Sequence, residues 1–326
     1  MRAPEKERGA ALLTVLLLVA VIAVLAAHSI DRLAGATKLA ANSRELSQAK
    51  SYLIAAESIG LQSAEQLVAA SPGRITNLGD WNGREQNFPV PGGLVRATLR
   101  DGGNCFNINS LVKQTQAVFS PRPEGIEQFI RLMGLLDVPS RSAFDIAAAT
   151  TDWLDSDMIA SPGGAEDDQY LQLDKPYRTA NTLMVDVSEL RAVKGITSEI
   201  YGQLAPWLCA LPTSDLSPIN INTLRPEQAI LLAMLSTGNI DIVRGRQFLA
   251  QRSELGYASL NDFWAQPYPS SLGASREVQN QAKLTTRWFR LDASAEMQSA
   301  RVEERVLIDA ARRPAKLVNR QRGDGL

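Results

Sequence analysis

Residues 10–27 carry no charge and begin only nine residues into the chain. As an α-helix at about 1.5 Å per residue, such a run spans roughly 27 Å, close to the hydrocarbon thickness of a bilayer. The charged segment before it, residues 1–9, holds Arg2, Lys6 and Arg8, which favour a cytoplasmic N-terminus, diluted by Glu5 and Glu7. Two fates fit this pattern. A secretory signal would be cut beyond the apolar run, near Ala26 or Ala27, and the run would be discarded. A cut between Gly9 and Ala10 would instead keep the run as the new N-terminus. The segment by itself leaves both open.

The next forty residues favour retention. No proline occurs between His28 and Ala70, and Leu39, Leu46, Leu53 and Leu67 recur every seven residues, with Gly60 in the vacant place. Ala49, Ala56 and Ser63 follow members of that series by three. This is a helix with one apolar stripe whose second row is small, so that a sheet or another helix can approach closely. Nothing separates the stripe from the apolar run. One long helix, half in lipid and half packed on a domain, accounts for both.

The junction Arg8-Gly9 followed by Ala-Ala-Leu-Leu-Thr-Val-Leu-Leu-Leu resembles a type IV pilin or a type II secretion pseudopilin. The resemblance implies cleavage after Gly9 by the prepilin peptidase on the cytoplasmic side and methylation of the new terminal amine at Ala10. Pilins usually carry a glutamate at the fifth mature position, which here is Thr14. In the family that carboxylate is neutralised by the terminal amine of an adjoining subunit, because a lone charge in lipid is costly. Thr14 cannot make this contact. That suits a subunit at the end of a filament, and the minor pseudopilin K family shares the departure.

The remainder of the chain reads as α+β. Residues 71–93, rich in glycine and proline, read as loop. Residues 94–100 alternate, 101–103 turn and 105–109 alternate again, which predicts a hairpin. Strands are also expected over 286–296, 301–310 and 315–319, with 321–326 frayed. Between these groups the pattern is helical: 125–136, 142–154 with Ser142 as N-cap, 188–193, 198–208, 225–235, 240–252 and 259–264. Strands, then helices, then strands suggest a helical domain inserted into a sheet domain. The expected layout is a leader (1–9), a transmembrane part (10–27) and a periplasmic part (28–70) of one helix. A pilin-like loop with first strands (71–110), a helical insertion (111–285) and C-terminal strands of the sheet (286–326) complete it. The K family has such a pilin-like antiparallel sheet interrupted by a large α-domain. The resemblance extends to Phe106-Asn-Ile-Asn109 and Asn220-Ile-Asn-Thr223.

A net charge of -1 argues against bulk attraction to nucleic acid. The two cysteines, Cys105 and Cys209, are an even number in a chain that reads as exported. A disulfide and two buried free thiols are both compatible with the sequence.

Asp152, Asp155, Asp157, Glu166, Asp167 and Asp168 fall within residues 152–168 with no lysine or arginine among them. A helix ending near Leu154 puts Asp152 and Asp155 at its negative end, against the macrodipole. A hard divalent cation relieves that crowding, since Ca²⁺ takes six to eight oxygens at about 2.3–2.6 Å. The order is not that of an EF-hand, and on residue type alone a solvated acidic loop competes with calcium. Asp-Trp-Leu-Asp-Ser-Asp, Gly-Gly-Ala-Glu-Asp-Asp-Gln-Tyr and Pro176-Tyr177 resemble the K family's calcium loop, which implies Ca²⁺. Asp155, Asp157, Glu166 and Asp168 are the leading candidate ligands, with Asp152 and Asp167 next.

Two other functions compete. Residues 189–201 and 219–229 resemble helix-hairpin-helix elements, which often bind DNA phosphates through backbone amides. The hairpin at Gly195-Ile196-Thr197 lacks the usual second glycine, and the acids of 152–189 would repel phosphate. An enzyme is disfavoured as well. The sole histidine, His28, adjoins the apolar run, and neither a P-loop nor a dinucleotide fingerprint occurs. The expected protein is therefore a non-enzymatic minor pseudopilin of the type II secretion system. It would be a single-pass inner-membrane protein with its bulk in the periplasm, and would not bind nucleic acid. By resemblance its partners are the I and J minor pseudopilins, with which it forms the pseudopilus tip that helps initiate assembly and protein export.

Overall fold

Helix α1 (Glu5–Ala70) runs without a break. The structure is a computed structural model that describes residues 5–238 and 240–323, with side chains described from Ala10 onward. The expected leader residues 1–4 and the end of the frayed tail, 324–326, lie outside the described residues. From Ala10 to Ala41 every side chain of α1 is exposed, and none of its most apolar window is covered by the rest of the molecule. Packing begins at Leu46 and deepens through Ala49, Leu53, Ala56 and Ala64. Leu39, expected in the stripe, is 71% exposed, and Ala64 rather than Ser63 is the buried small residue.

The partner of α1 is one antiparallel sheet. Its strands are β1 (Glu85–Val90), β2 (Gly93–Asp101), β3 (Trp288–Met297), β4 (Arg301–Asp309) and β5 (Lys316–Arg322), in that spatial order. Alternation puts Phe289, Leu291, Ala293, Ala295 and Met297 of β3 on the face toward α1. A methyl group on Gly60 would lie 2.8 Å from Leu291 Cδ2. The glycine in the leucine series thus marks the closest approach of helix to sheet. Burial of an apolar side chain such as Leu53 contributes about 1.5–3 kcal/mol. Three carboxylates of α1 tie it further. Glu45 accepts from Ser299 N and Oγ, Glu57 from the Arg320 guanidinium, and Glu65 from Ala315 N.

The expected hairpin of 94–100 with 105–109 does not form. β2 pairs instead with β1 on one side and with β3 on the other. β1 lies inside the stretch read as loop. It is an exposed edge strand, where Pro89 interrupts no interior hydrogen-bond ladder. β5 continues to Arg322, past the expected strand end at Asn319, because Arg320 and Arg322 reach Glu57 and the buried Glu304.

Neighbouring strands β2 and β3 are separated in sequence by the whole helical insertion. Its core is distinct from the core beneath α1. The insertion is built from two similar halves. The first opens at Phe106–Asn107, which pairs in parallel with Leu208–Cys209. The second opens at Ile219–Asn220, which pairs in parallel with Ala282–Lys283. In each, the first asparagine of the Asn-Ile-Asn repeat accepts from the backbone N–H of the second, Asn107 from Asn109 and Asn220 from Asn222. Both are fully buried, and their amides donate to distant segments.

The helices are α2 (Pro123–Leu135), α3 (Ser140–Leu154), α4 (Asp167–Tyr170), α5 (Ser198–Leu204), α6 (Ala229–Ala233), α7 (Ile242–Ala250), α8 (Leu260–Trp264), α9 (Pro267–Ser271) and α10 (Arg276–Gln279). Ser142 is inside α3 rather than its cap, since Pro139 holds the capping position. The expected helix over 188–193 is a 3₁₀ segment, Val187–Ala192, whose N-cap is Asp186. The one over 198–208 ends early because Pro206 follows α5 and Leu208 turns into strand. In α2, a methyl on Gly125 would lie 2.0 Å from Ser110 O. Backbone against backbone cannot yield, so Gly125→Ala is expected to destabilise by more than about 2 kcal/mol despite alanine's better helix propensity. A urea midpoint that stays put or rises would contradict this.

Candidate metal centre

Helix α3 ends at Leu154, and Asp155 takes the C-cap position with its N–H on Thr151 O. The chain then turns over a rigid base. Ser156 N donates to Phe119 O while Ser156 Oγ accepts from Phe119 N. Trp153 packs edge-on to Tyr170 at 5.4 Å, and Tyr170 stacks on Tyr177 at 5.2 Å.

Asp152 closes the loop. Its Oδ2 accepts from Ser161 N at 3.0 Å and Ala165 N at 2.8 Å. A methyl on Gly164 would lie 1.9 Å from that same oxygen, so any side chain there would displace the Asp152 carboxylate from the loop. Lys194 Nζ donates to Gly164 O at 2.9 Å. The lysine of the hairpin-like segment is thus used to hold the acidic loop.

The loop brings Asp155, Asp157 and Glu166 together, with one carboxylate oxygen of each within 4.8 Å of the others. Asp155 is 2% exposed and Glu166 3%, whereas Asp157 faces solvent. Asp155 Oδ1, Glu166 Oε1 and Asp152 Oδ1 are buried and meet no hydrogen-bond donor. Orphaned buried acceptors are costly and rare in folded proteins. Burial, reinforced by the neighbouring Asp157, Asp152 and Glu166, pushes the Asp155 carboxyl up to about 7. Burial likewise lifts Glu166 to about 7, against the opposing hydrogen bond from Thr179. Burial also raises Asp152. Donor-free oxygens of Asp155 and Glu166 converging with the exposed Asp157, whose Oδ1 accepts from Ile159 N, form a donor set suited to a hard, oxygen-coordinated cation.

The other two candidates stand apart. Asp168 is exposed and outside the convergent group. Asp167 is engaged by the Thr179 N–H and hydroxyl and by Arg178, and these hold its carboxyl below the ordinary value. Arg178, Thr179 and Lys194 are the residues of this loop that the sequence does not mark. Their spacing from their partners in the loop, eleven to thirty residues, gives no local signal. Cys105 and Cys209 are joined by a disulfide, with Cα atoms 5.8 Å apart.

Family models described as type II secretion system, protein K, match residues 104–213 and residues 219–286. The chain belongs to the protein K family of the type II secretion system. The two matches coincide with the two halves of the insertion, each opening at its Asn-Ile-Asn repeat. A type II secretion system protein K from Pectobacterium carotovorum subsp. carotovorum is 32% identical over 98% of this chain and 97% of its own length. The protein K of Aeromonas hydrophila is 35% identical over 78% of each chain. A chain in the crystal structure of the GspK-GspI-GspJ complex from enterotoxigenic Escherichia coli superposes with a TM-score of 0.76 at 29% identity. It covers 87% of this chain and 98% of its own. The resemblance to the K family read from Arg8-Gly9 and the Asn-Ile-Asn repeats therefore holds, and with it the pseudopilin architecture of stem helix, sheet and inserted helical domain.

Proposed function

We propose that this K-family pseudopilin caps the tip of the periplasmic pseudopilus, where it assembles with the I and J minor pseudopilins and helps initiate the fibre. The observation that carries this reading is the likeness, over nearly the full length of that chain, to a component of a GspK-GspI-GspJ complex. Two features support it. The uncovered apolar run of α1 from Ala10 to Ala27 can enter a bilayer, and the exposed stretch that follows it to Ala41 can pack against sister helices. The insertion between β2 and β3 forms a separate helical body, bulk that would obstruct addition of a further subunit above it. The protein is anchored in the inner membrane by α1 with its bulk in the periplasm, and it works by assembly and not by catalysis.

Asp155, Asp157 and Glu166 hold Ca²⁺, with Asp152 and Asp167 shaping the loop around them. Bound calcium supplies neutralising charge to the group, above all to Asp155 Oδ1 and Glu166 Oε1, which have no donors of their own. Magnesium fits less well, because it prefers a small regular octahedron with several waters. Prepilin peptidase cuts after Gly9 and Ala10 becomes the methylated terminus. Intact-mass and N-terminal peptide analysis of membrane-extracted protein should return Ala10 with one added methyl. A terminus near Ala27 would remove the anchor and overturn the proposal.

A further inference from the structure

A cleft of about 880 Å³ opens between the sheet and the insertion, on the sheet face opposite α1. Its floor carries Arg100 of β2, Arg290 of β3 and Arg305 of β4, from three adjacent strands. All three share one carboxylate, Asp292, with Nε distances of 3.5, 3.0 and 2.9 Å. Arg100 Nε is buried and makes no hydrogen bond. Burial lowers the Arg290 pKa, and Arg305 and Arg100 lower it further. The opposite wall adds Arg225 and Arg191, which make no ion pair among the described residues. A methyl on Gly83 would lie 2.8 Å from Arg100 Nη1 and 3.3 Å from Arg225 Nη1, so cationic ends from sheet and insertion converge over this glycine.

The cleft's own acids offset this charge only in part, since Asp101, Asp186 and the shared Asp292 are three carboxylates against five guanidinium groups. Asp101 is fully occupied by Thr223, Thr286 and Gly103 N. Asp186 accepts from Ser188 N and Gln321. Crowded guanidinium groups around one shared carboxylate leave fork-shaped donors with unmet demand for anions. Arginine satisfies that demand best with carboxylate or phosphate, through paired N–H bonds.

We propose that this cleft binds an extended acidic polypeptide segment of a partner, whose carboxylates pair with the arginines. Two observations favour a polypeptide over a lone small anion. The arginines come from three strands of the sheet and from two separate segments of the insertion, so guanidinium donors face the cleft from both walls and outnumber what one small anion can engage. Apolar side chains, Val185, Val187 and Leu208 among them, line the same cleft and suit the intervening residues of such a segment.

The test uses full-length protein in detergent micelles at fixed calcium, with a fluorescein-labelled peptide alternating glutamate and leucine read by anisotropy. The glutamate peptide should bind at least about tenfold more tightly than its glutamine counterpart, a difference of about 1.4 kcal/mol. Arg225→Gln should weaken binding about tenfold without moving the melting temperature, because Arg225 holds no ion pair. Rising salt should weaken it further. Equal binding of the glutamine peptide, or unchanged binding in an Arg191→Gln/Arg225→Gln double variant, overturns the proposal. So does citrate or inorganic phosphate binding as tightly as the peptide, which would assign the cleft to a free small anion.

Discussion

Chelation of divalent cations at pH 7.5 lowers the melting temperature of the full-length protein by about 5–10 °C, and added calcium restores it. The magnitude follows from linkage. A ligand at a hundred times its Kd stabilises by about 2.7 kcal/mol, and 1 kcal/mol shifts Tm by about 2–4 °C in domains of this size. Two consequences separate a bound ion from a merely acidic loop. The first is pH dependence in chelator. Asp155 and Glu166 are raised to about 7 in the folded protein from ordinary values of 3.8 and 4.5. The folded state then retains protons that the unfolded chain has released. That stabilisation is complete below the unfolded pKa values and is lost as pH rises toward 7. The chelated protein should therefore melt progressively lower from about pH 4.5 to about pH 7.5, and calcium should abolish most of the slope. The second consequence is the behaviour of Asp155→Asn. Removing a buried, crowded charge should raise or leave unchanged the melting temperature in chelator while cancelling the response to calcium. If chelator shifts nothing at pH 7.5, no structural ion is present.

The stem and the sheet were legible in the sequence because their signals are periodic. Leu46, Leu53 and Leu67 mark the buried side of α1, and alternation along 286–296 and 301–310 marks two strands, which form over 288–297 and 301–309. The family was legible from a handful of residues at one junction and two Asn-Ile-Asn repeats. The errors arose where partners are distant in sequence. Residues 94–100 and 105–109 look like a hairpin locally, yet β2 finds β3 almost two hundred residues away, and Phe106 finds Leu208. Local pattern specifies strand character but not which strand a strand will meet. β1 was missed because an exposed edge strand needs no apolar alternation and tolerates Pro89. In the acidic loop, composition identified the segment and placed Asp168 among the leading four, but it could not supply the ranking that the fold imposes on the six carboxylates. That ranking depends on Arg178 and Thr179 taking Asp167, and on Ser161 and Ala165 taking one oxygen of Asp152. The arginine cleft had no sequence signal, since its members come from residues 100 to 305.

Replacing both cysteines, Cys105→Ser with Cys209→Ser, is expected to cost about 2–4 kcal/mol of stability, read as a fall in the urea midpoint. The bond joins residues 104 positions apart, and closing a loop of about 100 residues accounts for up to about 4.7 kcal/mol in the chain-entropy description. Its place matters as much as its span. It closes the first half of the insertion at the seam where β2 hands over to Phe106–Asn107, and that seam has only a two-residue parallel pairing of its own. Without the bond, the seam rests chiefly on buried Asn107, whose amide donates to Thr213 O and Asp215 O. Hydrogen exchange should then rise across residues 106–208 and change little in α1 and the sheet, which have a separate core. The acidic loop lies inside the closed segment, so cysteine replacement and chelation act on the same cooperative unit. Measured singly and together, the two losses should couple and not add independently. Strict additivity would mean that the loop and the seam unfold as separate units, and the insertion would have to be described as smaller independent pieces.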